Sequence, residues 1–243
     1  MQRYFITFSF DGTAYHGWQI QPNGISIQEV LQKSLSTLLR SDIEVVGAGR
    51  TDAGVHARMM VAHFDIDKDV DCKLLTYKLN KILPPDIAVV GVRQVSEDMH
   101  ARFSATSRTY HYYVHKGKNP FLRKYSCNLC YDLDFVKMNQ AAHILMEYED
   151  FGAFCKSHTD VKTTICHVIE ARWVKESADS WYFEITANRF LRNMVRAVVG
   201  TLVDIGRGKI SFDDLRNIVK GKSRSDAGES MPANALFLEK IEY

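Results

Sequence analysis

The chain has 243 residues, 46% of them apolar and 25% charged, with a net charge of +2 at pH 7. That is enough for one large domain or two small ones around a buried core, and so even a charge balance does not by itself announce a nucleic-acid partner. No apolar run is long enough to span a bilayer, and five cysteines, an odd number, argue against a disulfide framework.

The opening RYFITFSF alternates like a half-buried strand. It lacks the basic start, apolar block and cleavage site of a secretory signal, so the expected address is the cytoplasm, with no membrane partner. Ser26-Ile27-Gln28-Glu29 makes a capping box, and Ile27, Val30, Leu31, Leu35, Leu38 and Leu39 recur at helical spacing. IEVVGA and MMVAHF are β-rich runs on either side of a loop. Lys73 to Leu83 reads as a helix stopped by Pro84-Pro85, and IAVVGVRQV follows as a strand. The order is βαββαβ, the split pattern of ferredoxin-like folds.

The second half repeats that order. RTYHYYVH alternates, Asp134 caps a helix through Met146, ICHVIEARWV and WYFEITA are strands, and Phe190 to Val203 is helical. A short helix begins at Ser211, with Asp214 completing a box, and ALFLEKIEY closes the chain as an extra strand. The predicted class is α+β: two ferredoxin-like halves, 1–105 and 106–243, sharing a continuous, mainly antiparallel sheet flanked by helices. Two separate domains joined through 96–107 are the alternative, although that segment is no Gly/Ser/Pro linker.

The loop between IEVVGA and MMVAHF is GAGRTDAGVHA, residues 47–57, with Arg50 and Asp52 among small residues. A P-loop needs Lys and Ser/Thr after its last glycine, at a helix start, whereas Gly54 leads into Val55-His56 and a strand. A dinucleotide fingerprint also requires a helix there. Two readings remain: a simple turn, or a loop that presents the Asp52 carboxylate to chemistry, the small neighbours letting a planar substrate approach. A guanidinium nearby keeps a carboxylate ionised and oriented. Arg50 is the local candidate. A distant one lies on ANRFLRNMVRAVVGTLV, where Arg189, Arg192 and Arg196 at i, i+3 and i+7 are predicted on one helical face. Apolar crowding marks Arg196 for burial, and a buried arginine requires a partner.

From Met99 to Tyr131 there is no Asp or Glu, while Arg102, Arg108, Lys116, Lys118, Arg123 and Lys124 alternate with Tyr110, Tyr112, Tyr113 and Phe121. Basic groups neutralise phosphates and aromatic faces stack unpaired bases, which suits RNA; the plainer reading is a solvated surface whose acids lie elsewhere, such as DIDKDVD at 65–71. Cys127 and Cys130 form a CxxC, and Cys155 with His158 repeats the spacing, a weak match to a zinc site beside the commoner fate of buried thiols.

FDGTAYHGWQIQPNG, GAGRTDAGVHA, ARFSATSRTYHYYV, DFGAF and NRFLRNMVRAVVGTLVDIGRG, in that order across nearly the whole chain, resemble the blocks of the tRNA pseudouridine synthase A family. The resemblance implies the pseudouridine synthase fold and isomerisation of uridine to pseudouridine in the anticodon arm of tRNA, without cofactor or metal, by a homodimer with tRNA lying across both subunits. It makes Asp52 the catalytic nucleophile, attacking either the uracil ring or the ribose anomeric carbon. Tyr110 becomes the tyrosine that stacks on the target base and helps remove its proton, Arg196 the partner of the catalytic carboxylate, and Arg50 the residue that pushes into the stem as the nucleotide flips. Arg102, Arg108, Arg189 and Arg192 are expected to bind the substrate. The chain departs from the family pattern at Met231, Ala235 and Arg58-Met59-Met60. A non-catalytic RNA-binding protein or chaperone on the same fold is the alternative function, and a zinc-dependent nucleic-acid enzyme a third.

Overall fold

The computed structural model describes residues 1–156 and 161–243, and its contacts divide them into two compact units, Met1–Thr106 with Phe237–Tyr243, and Ser107–Leu236. His158, the expected companion of Cys155, lies outside the described residues. Each unit is mixed α+β, as predicted, with a mostly antiparallel sheet and helices packed on it.

The first unit contains β1 (Gln2–Phe10), α1 (Ile27–Leu39), β2 (Val46–Gly47), β3 (His56–Ile66), α2 (Cys72–Ile82) and β4 (Ile87–Val95). Strand β1 is central, antiparallel to β3 on one side and β4 on the other. Its Phe5, Ile6 and Phe8 are buried, as are Leu31 and Leu35 of α1 and Leu79 of α2, so the expected apolar stripes form this core. Ser26 caps α1 as expected, its side chain accepting from Glu29 N–H at 3.2 Å.

Strand β2 is much shorter than the IEVVGA run predicts. The main chain there bonds to side chains of α1 instead: Ser36 Oγ accepts from Ile43 N–H at 3.0 Å, Gln32 Oε1 accepts from Val45 N–H at 3.2 Å, and Gln28 Nε2 donates to Val45 O at 2.8 Å. Groups satisfied this way need no strand partner.

The second unit contains β5 (Ser107–His115), β6 (Cys127–Asn128), α3 (Phe135–Leu145), β7 (Val168–Lys175), β8 (Ser180–Ala187), α4 (Met194–Gly206) and α5 (Phe212–Gly221). Strand β8 lies antiparallel between β5 and β7, and β6 adds a short parallel pair to β5. Asp134 caps α3 and Ser211 caps α5 with the reciprocal Asp214 bond, both as predicted. Helix α4 is buried on nearly every side, and Leu202 and Val198 are fully enclosed.

The last strand, β9 (Leu236–Glu242), lies parallel to β3 with His56 opposite Phe237 and Ala57 opposite Leu238. Parallel pairing of the first residues of β3 with the chain's end steadies the point where the Asp52 loop enters the sheet.

Candidate active site

In the first unit Asp52 sits, partly buried, in the loop between β2 and β3, with Arg50 exposed two residues before it. The loop's main chain is held by the FDGTAYHGW segment that follows β1. Trp18 N–H donates to Thr51 O at 3.2 Å, Gly54 N–H donates to Tyr15 O at 3.3 Å, and Val55 N–H closes a turn on Asp52 O at 3.2 Å. Gly17 adopts φ +85°, and a Cβ there would stand 2.4 Å from Thr51 O and 3.0 Å from Asp52 C. No L side chain fits that backbone or that space.

The cradle is itself anchored. Tyr15 is buried and its hydroxyl donates to Asp86 Oδ2 at 3.1 Å; burial, and then that carboxylate, push its phenol up to about 12. His56, at the start of β3, is buried, accepts Gly12 N–H on Nδ1 at 3.0 Å and stacks on Phe237 at 4.5 Å between ring centroids. The loop therefore has fixed backbone on both flanks of Asp52. The sequence alone names FDGTAYHGW only as a block of the resemblance. Its glycines and aromatics were the available signal, but nothing local says which loop they receive.

In the same unit Arg102 is exposed on the turn after β4, its guanidinium carbon 5.5 Å from the centroid of Phe103, which is 76% exposed. The Phe103 ring also packs against His100, at 4.4 Å between centroids and tilted by 34°.

In the second unit Tyr110 lies half-buried on β5 opposite Ile185 of β8, and its ring meets Phe190 edge to face at 5.0 Å and 82°. Arg108, on the same strand, donates from Nη1 to Asn188 O at 2.7 Å. The acid-free 99–131 stretch finds acids across the sheet: Glu184 lies 2.8 Å from His111 Nε2 and accepts from Arg172 Nη2 at 2.7 Å. Lys116 pairs with Asp132.

The expected arginine face needs correcting. Helix α4 begins at Met194, not Phe190, so Arg196 alone of the three is helical; Arg189 is in irregular chain and Arg192 in the turn before the helix. The 188–192 backbone is used elsewhere: Asn188 N–H donates to His167 O at 3.1 Å and Arg192 O accepts from Lys156 N–H at 3.0 Å. Asn193, in the left-handed region at φ 68°, then turns the chain into the helix. Three arginines cannot share a face when two of them precede the first turn.

Arg196 is half-buried, and its Nε donates to Met231 O at 2.5 Å while Met231 N–H donates to Arg196 O at 3.2 Å. The departure at Met231 thus touches Arg196 through main-chain atoms that any residue but proline supplies. Ala235, the other departure, is buried in a 3₁₀ turn over Ala233–Ala235. Cys127 is half-buried, its thiol pushed up by burial, Cys130 is exposed and Cys155 buried, and none of the three is in a disulfide.

A family model described as tRNA pseudouridine synthase matches residues 6–104 and 141–243. The tRNA pseudouridine synthase A of Bacteroides fragilis is 57% identical over 244 residues, covering 100% of this chain and 97% of that protein. The protein of the same name from Bacteroides thetaiotaomicron is 57% identical over 245 residues, covering 100% of this chain and 91% of its own. That from Thermoanaerobacter pseudethanolicus is 40% identical over 245 residues, covering 100% of both chains. With both the family model and full-length relatives in agreement, the chain belongs to the tRNA pseudouridine synthase family.

Proposed function

We propose that this chain isomerises uridine to pseudouridine in the anticodon arm of tRNA, with Asp52 as its nucleophile. As a member of its family it is an isomerase that acts on tRNA. The reaction exchanges the bond from ribose C1′ to uracil N1 for one from C1′ to C5; the C5 hydrogen leaves as a proton and N1 takes up a proton from solvent. Attack by Asp52 on the ring or on C1′ gives an intermediate in which the freed base rotates and rejoins through carbon.

The observation that carries this reading is the Asp52 loop, whose main chain is tied down immediately before and after the carboxylate residue. A nucleophile delivered from fixed backbone keeps its reacting atom in place, whereas an ordinary surface turn has no use for such a cradle. Tyr110 stacks on the target base and helps take its C5 proton. Phe190 supports the Tyr110 ring edge-on from one side. Arg196 pairs with the Asp52 carboxylate, and Arg50, exposed beside it in sequence, enters the stem when the nucleotide flips. Extruding a base costs roughly a few kcal/mol and an aromatic platform returns roughly 1–3 kcal/mol per stacked base. Arg102, Arg108, Arg189 and Arg192 bind the RNA, the enzyme works as a cytoplasmic homodimer, and neither metal nor cofactor takes part.

Incubation with tRNA carrying tritium at uracil C5 tests the reading. Wild-type protein is expected to release the label, and Asp52→Asn to release none while still binding tRNA. Full turnover by Asp52→Asn would refute the assignment of Asp52, and absence of release by wild-type protein would leave a non-catalytic RNA-binding protein.

A further inference from the structure

Residues 224–232, RSDAGESMP, run alongside α4 in the opposite direction and are fixed to it at successive turns. Asn193 Nδ2 donates to Ser230 Oγ at 2.5 Å, Arg196 exchanges its two bonds with Met231, and Thr201 Oγ1 accepts from Gly228 N–H at 2.9 Å. The approach is so close that a Cβ on Gly200 would stand 1.9 Å from Glu229 O. This segment is a strap laid on the helix that carries Arg196.

Two side chains hold the strap from outside the helix. Arg224, half-buried, donates from Nη1 to Gly228 O at 3.0 Å and to Ala227 O at 3.3 Å, and from Nη2 to Ser230 Oγ at 2.8 Å. Tyr112 is fully buried, and its hydroxyl donates to Pro232 O at 2.9 Å. It sits two residues from Tyr110, on the same face of β5 by the strand's alternation. The Met231 carbonyl that receives Arg196 Nε is therefore flanked by Ser230, held through Arg224, and by Pro232, held through Tyr112.

A guanidinium is planar, so committing Nε–H to a fixed carbonyl sets the plane in which its four Nη hydrogens lie. An arginine otherwise has many rotamers, and ordering it before the reaction removes that entropic cost from the chemical step. We infer that the 224–232 strap is a positioning device for Arg196, with Arg224 and Tyr112 as its positioning residues. The inference rests on the reading of Arg196 given above as the partner of the catalytic carboxylate.

Single-turnover rates and tRNA dissociation constants of Arg224→Lys, Tyr112→Phe, Arg196→Ala and the two double variants with Arg196→Ala test it. Arg224→Lys keeps the charge but loses the planar fork, and Tyr112→Phe deletes one hydroxyl. Each is expected to slow the single turnover about 10-fold with the dissociation constant within about 2-fold of wild type. Neither should slow Arg196→Ala further, since a device that acts through Arg196 has nothing to position once it is gone. Wild-type rates for the single variants overturn the inference while leaving the role of Arg196 intact. So do undiminished losses in the Arg196→Ala background, or weakened tRNA binding at an unchanged rate, which would make Arg224 an RNA contact. A wild-type rate for Arg196→Ala itself removes the reading of Arg196, and the strap's role with it. Should Arg224→Lys fail to fold, the Tyr112→Phe cycle decides alone.

Discussion

Gly17 and Thr51 approach so closely that a single methyl group on Gly17 would stand 2.4 Å from the Thr51 carbonyl oxygen. The contact joins segments 34 positions apart in the chain (51 minus 17), one on the connection after β1 and the other beside Asp52. With the bonds from Trp18 N–H to Thr51 O and from Gly54 N–H to Tyr15 O, it holds the alanine- and glycine-rich loop in place.

Gly17→Ala tests that contact. The positive φ and the backbone collision together are expected to cost about 2 kcal/mol of stability. The folded fraction should turn over about 100-fold more slowly, because the Asp52 backbone must shift, while tRNA binding stays within about 3-fold. Urea denaturation and single-turnover tritium release read the two effects separately. A variant that folds and reacts like wild type would show that the cradle does not position Asp52.

Tyr110→Phe keeps the stacking face and its edge-on contact with Phe190 but deletes the hydroxyl. Near-normal tRNA affinity is expected, with the chemical step slowed about 100-fold, a magnitude common for a lost proton-transfer group. An unchanged rate would confine Tyr110 to stacking.

His63 makes stability pH-dependent. It is 4% exposed on β3, accepts Ala101 N–H on Nδ1 at 3.2 Å and meets His100 edge-on at 4.6 Å. Burial, then the Arg3 guanidinium and His100, push its pKa down to about 4. Its unfolded value is about 6.5, so on acidification the unfolded chain takes up the proton first. The stabilising contribution is complete above about pH 6.5 and is lost as the pH falls toward 4. Between pH 7 and 4.5 the wild-type unfolding free energy should fall by about 2 kcal/mol more than that of His63→Asn, as measured by urea titration. Parallel declines in the two proteins would rule His63 out as the source.

Arg50 carries a different expectation, because it is exposed and assigned to the RNA rather than to Asp52. If it compensates for the extruded nucleotide, Arg50→Ala should lose about 100-fold in rate at a base-paired uridine and less than about 3-fold at an unpaired one. Rates on stem and open-loop substrates make the comparison. Equal losses on both would mean that Arg50 acts on the chemistry or on general affinity.

Much of this protein was legible before any coordinates. The strand β4 matches IAVVGVRQV at both ends, and Ser26, Asp134 and Ser211 cap the helices they were expected to cap. These features are written in a few adjacent residues, through side-chain period, capping chemistry and proline stops. Motif order also identified the family. What could not be read locally depends on partners far along the chain. β2 shrinks because Gln28, Gln32 and Ser36 take up the main chain of residues 43–45. Helix α4 starts late because Lys156 and His167 use the backbone ahead of it. The cradle under Asp52 and the strap on Arg196 arise in the same way, from close approaches at Gly17 and Gly200 that leave no periodic trace. A glycine shows only that something can come near; the folded chain, in pairing its main-chain groups across distant segments, settles what does.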